Sequence, residues 1–167
     1  GYDSYDQALG MIGIRDISKE ASEIMEEGTE IHKMVQDSLM MSGQALGVEA
    51  LISSPQENIR SYVDVMLANP QGGRMPLEIK SISEEGFAQL ERPKWSHKIQ
   101  LNSYMAVMGA NTGKFLYVSR ENPNMQKNFT VRFDPELWED TKQTLGQARD
   151  MAQEFLAQGY GDASHGY

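Results

Sequence analysis

Glu78 and Lys80 flank Ile79 in the segment MPLEIKSI (residues 75–82), where they alternate with Leu77, Ile79 and Ser81. Side chains in a strand repeat every two residues, so the carboxylate and the ammonium share one face. In the preceding apolar run, residues 59–68, Asp64 interrupts Val63 and Val65 in the same way. The intervening Asn69-Pro70-Gln71-Gly72-Gly73 is a strong turn signal, so the two runs are expected to pair as an antiparallel hairpin. Asp64, Glu78 and Lys80 would then meet at one place on a sheet. Two carboxylates suit Mg²⁺ or Mn²⁺, which prefer oxygen ligands and keep several waters. Such an ion acidifies a bound water and neutralises charge on a phosphoryl oxygen. A neighbouring lysine could orient that water or stabilise the charge that develops. The triplet alone is a weak signal. It recurs as Asp140-Thr141-Lys142 on an expected surface helix, where it reads as solvated decoration. On spacing alone, a half-buried ion pair explains Glu78 and Lys80 equally well.

Other residues extend the pattern. His32 lies on an expected helix, in Gly28-Thr29-Glu30-Ile31-His32. A lone helical histidine is more often packed or solvated than a ligand; to be one, it must reach the carboxylates from a helix beside the sheet. Glu49 is a third acid inside an apolar run, Val48-Glu49-Ala50, and reads either as a support behind the ligands or as a partner for Lys80. Gln100 and Tyr104 are four residues apart and share a helix face. An amide and a phenol so placed can hydrogen-bond phosphate oxygens or metal ligands, and the ring can stack on a base. Arg92, Lys94, His97 and Lys98 precede them with Trp95 interleaved, and Lys94 and Lys98 are the cations expected to meet a nucleic-acid backbone. The plainer alternative is an amphipathic helix with Tyr104 in the core.

The elements that must position these residues are legible in outline. Ser18 is a plausible N-cap for a helix running to about Met41, with Ile24, Ile31, Val35 and Leu39 near helical spacing and Gly28 a point where it could divide. Strands follow at residues 46–53, 59–68 and 75–82. Pro93 precedes a helix from Trp95 to Met108, with Ser96 as its expected cap and Asn111-Thr112-Gly113 as its stop. Strands at residues 114–119 and 126–133 come next, then Asp134-Pro135 opens a helix reaching about Ala157. The order predicts an α/β fold, a sheet with helices packed on its faces. No glycine fingerprint follows a strand, so neither a Rossmann nor a P-loop layout is indicated. Residues 1–16 read as an extension, 17–158 as one domain and 159–167 as a disordered tail. A start at Gly1 rather than Met suggests a processed or excised piece.

Composition narrows the chemistry. The 167 residues contain no cysteine, which excludes disulfides, thiolate zinc sites, iron–sulfur clusters and cysteine nucleophiles. No apolar run approaches the roughly 18 residues of a membrane span, and no membrane partner is expected. The net charge of −9 is unevenly spread. Residues 60–132 carry ten basic against six acidic residues, a net of +4, leaving −13 on the flanks. A polyanionic partner therefore remains compatible with an acidic chain.

Taken together, His32, Asp64, Glu78-Ile79-Lys80 and Gln100-Leu101-Asn102-Ser103-Tyr104 resemble the signature of the PD-(D/E)XK nuclease superfamily, and within it the RecB-type exonuclease group. The family's order is a helix histidine, an aspartate on the second strand, Glu/Asp-x-Lys on the third and Gln-xxx-Tyr on the next helix. The match covers about residues 18–120. It implies a restriction-endonuclease-like αβββαβ core with a mixed sheet flanked by helices. It implies a metal held by His32, Asp64, Glu78 and the Ile79 carbonyl, with Lys80 acting on the attacking water. Gln100 and Tyr104 would hold nucleic acid and brace the site. Two departures stand out: Val63 replaces the motif's leading proline, and the iron–sulfur branch, which needs four cysteines, is ruled out. The resemblance implies a Mg²⁺- or Mn²⁺-dependent DNA nuclease, expected to be an exonuclease, either stand-alone as in phages and their bacterial hosts or cut from something larger. It would work in the cytoplasm on single- or double-stranded DNA, beside replication or recombination proteins. The reading from another class is a catalytically silent nucleic-acid- or protein-binding module that keeps the nuclease fold.

Overall fold

The computed structural model describes residues 19–158. The expected extension at residues 1–16, the Ser18 cap and the tail at 159–167 lie outside the described residues. Helix α1 (Lys19–Met41) is followed by β1 (Ala45–Ser54), β2 (Ile59–Ala68), β3 (Arg74–Ile82) and a short α2 (Glu84–Gln89). Then come α3 (Trp95–Met108), β4 (Thr112–Ser119), β5 (Gln126–Arg132) and α4 (Pro135–Ala157). The strands form one sheet in the order β1-β2-β3-β4-β5. Neighbours are antiparallel except for β3 and β4, which run parallel. A parallel pair needs a crossover, and α3 supplies it. This is the expected α/β fold: a mixed sheet flanked by helices.

Each face of the sheet is covered by a different helix. On one, Ile31 and Val35 of α1 pack on Val65, Leu77, Ile79, Leu116 and Val118. On the other, Leu101 and Met105 of α3 pack with Phe115 and Tyr117, and Tyr104 packs with Ile52, Val63 and Met66. Helix α1 runs unbroken through Gly28, where an added Cβ would lie 3.0 Å from Ser81 Oγ of β3. The glycine sets how closely helix and sheet approach, and does not divide the helix.

Two helix starts differ from expectation. The sequence reading places no helix at α2, yet Ser83 caps it by accepting from the Gly86 N–H at 3.1 Å, with Glu84 and Glu85 in its first turn. Helix α3 is capped at Lys94, which makes no side-chain cap bond, and not at Ser96. Its first turn is anchored instead by Tyr117, whose hydroxyl accepts the Lys94 N–H at 3.2 Å and lies 2.7 Å from His97 Nδ1. The Asp134 cap of α4 is as expected, accepting from the Leu137 N–H, with Pro135 at the first helical position.

Candidate active site

The sheet divides where the predicted acids fall. Strands β2 and β3 pair from Ala68↔Arg74 only as far as Val65↔Leu77. The next pair in that register would be Asp64 opposite Glu78, and there the ladder stops. Beyond it, β2 follows β1 down to Ile59↔Ser54, while β3 follows β4 up to Ile82↔Ser119. The result is a fork with the two acids at its crotch, opposite one another and on the same face. Their carboxylates replace the missing ladder acceptors. Glu78 Oε1 accepts the Asp64 N–H at 3.1 Å, and Asp64 Oδ2 accepts the Ile79 N–H at 2.8 Å.

The site's electrostatics follow from this packing. Glu78 is only 4% exposed. Burial first, and then the charge of Asp64, push its carboxyl up to about 8, with Lys80 pulling the other way. The apposition of the two carboxyl groups thus favours the protonated form of Glu78.

A chain of polar contacts spans the mouth of the fork. Lys80 Nζ on the β3 branch donates to Gln100 Oε1 at 2.8 Å. Gln100 Nε2 donates to the Tyr104 hydroxyl at 3.0 Å, and that hydroxyl lies 3.0 Å from Ser61 Oγ on the β2 branch. Burial, followed by the nearby Glu78 charge, pushes the Tyr104 phenol up to about 12, so it stays protonated and able to donate. The ammonium is thus held one pleat beyond Glu78, fixed through α3.

A second set of contacts braces the crotch from behind. Gln36 of α1 donates from Nε2 to the Asp64 carbonyl at 2.9 Å and to Glu49 Oε1 at 2.8 Å. In the β1–β2 register Glu49 would oppose Asp64, but its φ of 47° is left-handed and the pairing skips it, running from Val48↔Val65 to Ala50↔Val63. A non-glycine residue in that conformation costs on the order of 1–2 kcal/mol. In return, its carboxylate is directed to Gln36. Glu49 therefore supports Asp64 through an amide, while Lys80 has Gln100 for a partner.

The structure brings together Asp64, Glu78, Lys80, Gln100 and Tyr104. Among the described residues, no three histidine, aspartate or glutamate side chains gather as a metal-holding group. His32 is therefore not collected with Asp64 and Glu78; it is half-buried on α1, midway between Gly28 beneath Ser81 and Gln36 beneath Asp64. Lys94 is exposed and Lys98 half-buried at the start of α3, ten and six residues before Tyr104. The sequence reading misses Gln36 and Ser61. The only signals for them are that Gln36 falls one turn beyond His32 and that Ser61 is a lone hydroxyl amid Ile59, Val63 and Val65. The donor set suits a small hard cation: two apposed carboxylates, each with only one oxygen bonded to a backbone N–H.

No protein-family model and no curated protein matches the chain. Solved structures do. The alkaline exonuclease LHK-Exo from Laribacter hongkongensis superposes with a TM-score of 0.65 at 17% identity, over 83% of this chain and 75% of that one. LHK-Exo in complex with dAMP superposes with a TM-score of 0.67 at 18% identity, over 93% of this chain and 82% of that one. At such identities the likeness is one of fold: this chain shares the fold of LHK-Exo.

Proposed function

We propose that this protein is a divalent-cation-dependent DNA nuclease of the PD-(D/E)XK superfamily and RecB-type group, acting as an exonuclease. The observation that carries the reading is the fork, where Asp64 and Glu78 face each other at the point the ladder opens, with the Lys80 ammonium held beside them by Gln100. Asp64, Glu78 and the Ile79 carbonyl would hold Mg²⁺ or Mn²⁺; His32 is not gathered with them. When bound, that ion acidifies a water and offsets charge on the scissile phosphate. Lys80 orients the attacking water and stabilises negative charge on the phosphoryl oxygens in the transition state. Gln100 and Tyr104 keep the ammonium in place and supply donors to phosphate oxygens. LHK-Exo has been captured with dAMP, a mononucleotide of the kind DNA hydrolysis yields, which favours DNA as the substrate.

One observation favours the silent-module reading: both carboxylates already serve backbone N–H groups, a structural role that needs no ion. A product time course on end-labelled single- and double-stranded DNA with Mg²⁺, Mn²⁺ or EDTA separates the two. The nuclease releases mononucleotides with either ion, none in EDTA and none from Lys80→Ala. Intact DNA under every condition, or full activity in Lys80→Ala, would remove the proposal or its lysine.

A further inference from the structure

Trp95 is 62% exposed at the first position of α3. A large ring left in water is informative because tryptophan usually buries most of its area. Its surroundings are cationic. Arg92 and Lys94 precede it, both exposed, and the Lys98 ammonium lies 5.6 Å from the ring centroid. Lys98 also lines an open cavity of about 470 Å³ with Arg132 and the turn into α4 at Phe133, Asp134 and Pro135. That volume is within the usual range of about 300–1,000 Å³ for small-ligand sites. The one acid in its lining, Asp134, is engaged in capping α4, so Lys98 and Arg132 set the sign of the surface.

The position of this patch relative to the fork gives it meaning. Tyr117, which anchors the first turn of α3, is the register neighbour of Lys80 across the β3–β4 pair. Gln100, bonded to Lys80, lies five residues after Trp95, about 7.5 Å along the helix axis and about 140° around it. A strand leaving Lys80 toward the N-terminal end of α3 would meet the Trp95 ring on the helix's far flank.

We infer that Trp95, Lys98 and Arg132 form a stacking and phosphate-binding platform for a single-stranded stretch of the nucleic acid whose adjacent phosphate is cleaved at Lys80. The inference rests on the nuclease reading and adds the strand state. A base in a duplex is already stacked on its neighbours, so only an unpaired one can lie on Trp95. The Lys98 ammonium lies over one side of the ring, so the base takes the other, Lys98 reaches a phosphate and Arg132 takes the next.

The test is binding, read without cleavage. Oligothymidylate of about 12 nucleotides, within the usual single-strand site size, is titrated in EDTA while tryptophan fluorescence and anisotropy of a labelled oligonucleotide are followed. A blunt hairpin duplex serves as the second ligand. The wild type should bind the single strand with quenching, and the blunt duplex weakly and without it. Trp95→Ala should lose the quenching, leaving Trp138 as background, and weaken binding roughly tenfold or more. Lys98→Ala should weaken binding and reduce its salt dependence. Unchanged affinity and quenching in Trp95→Ala, or equal quenching by the blunt duplex, overturns the platform. If the wild type meanwhile cleaves DNA, the nuclease reading survives that failure. A protein that binds in EDTA through Trp95 but never cleaves keeps the platform and loses the enzyme.

Discussion

Glu78 carries two roles that conflict as pH changes. Its carboxyl, pushed up to about 8 by burial and by Asp64, is mostly protonated at neutral pH in the absence of a cation. In the unfolded chain it titrates near 4.5. Between those values the native state binds more protons than the unfolded state, so stability falls as pH rises, with a limiting slope of about 1.4 kcal/mol per unit. Without a divalent cation, the melting temperature should therefore drop from pH 5 to pH 8, and Glu78→Gln should flatten that drop; an identical slope in the variant would dissociate Glu78 from it. Under the proposed function, a cation bound at Asp64 and Glu78 would have to expel the same proton. The apparent Mg²⁺ affinity should thus rise up to tenfold per pH unit below about 8 and level off above it, as read by Mg²⁺-induced shifts in melting temperature. Much of this was legible in the sequence. Period-two spacing placed Glu78 and Lys80 together, and i, i+4 spacing paired Gln100 with Tyr104. Gln36 was not legible, because a helical glutamine between Val35 and Asp37 looks like any half-solvated residue until its strand partner is known. The left-handed turn at Glu49 was equally hidden, since nothing in Val48-Glu49-Ala50 departs from an ordinary strand.

The element that makes the site is the divided pair β2–β3, and its two branches are held at a fixed opening by the path from Ser61 through Tyr104 and Gln100 to Lys80. Tyr104→Phe keeps the ring in its packing with Ile52, Val63 and Met66 but removes the oxygen that joins both sides. Stability should fall by about 1 kcal/mol, the usual net worth of such a bond, while cleavage falls further, by about tenfold or more, because Gln100 and with it the lysine are left less constrained. Equal, small losses in both would make Tyr104 a packing residue only. A fork of this kind cannot be read from one strand at a time. The turn at residues 69–73 announced a hairpin, and the hairpin formed, but it stops where the Asp64 and Glu78 carboxylates take N–H groups of the facing strand. The missed start of α2 is a different case. Its signal, Ser83 followed by two glutamates, was present but short, and the helix is fixed from outside by the Lys127 ammonium bonded to the Phe87 and Leu90 carbonyls at 2.6 and 3.0 Å.

Across the whole molecule, charge is sorted by element. Helix α1 carries six acids against two lysines, and α4 five acids against two basic residues. The basic surplus lies between them in the sequence, on the sheet and α3. Polyanions should be repelled from the two long helices and admitted along the α3 side. A strand held by Lys80, Lys94, Lys98 and Arg132 should show log affinity falling against log salt with a slope of about −3, roughly 0.7 per cation for a single strand. A slope near zero would mean that those four do not meet phosphates. Among the described residues no helix is long and apolar enough to cross a membrane. The left-handed residue in β1 has one more effect, unrelated to catalysis. β1 is an outer strand with Leu46 and Leu51 exposed, the kind of margin on which another chain can nucleate intermolecular β-structure. The register shift between Ala45 and Gly47 and the reversal at Glu49 break that margin into short, misaligned pieces. The kink that secures Asp64 therefore also denies a neighbouring molecule a straight template, and Glu49→Val, whose branched side chain disfavours the left-handed conformation, would straighten the rim and make it stickier.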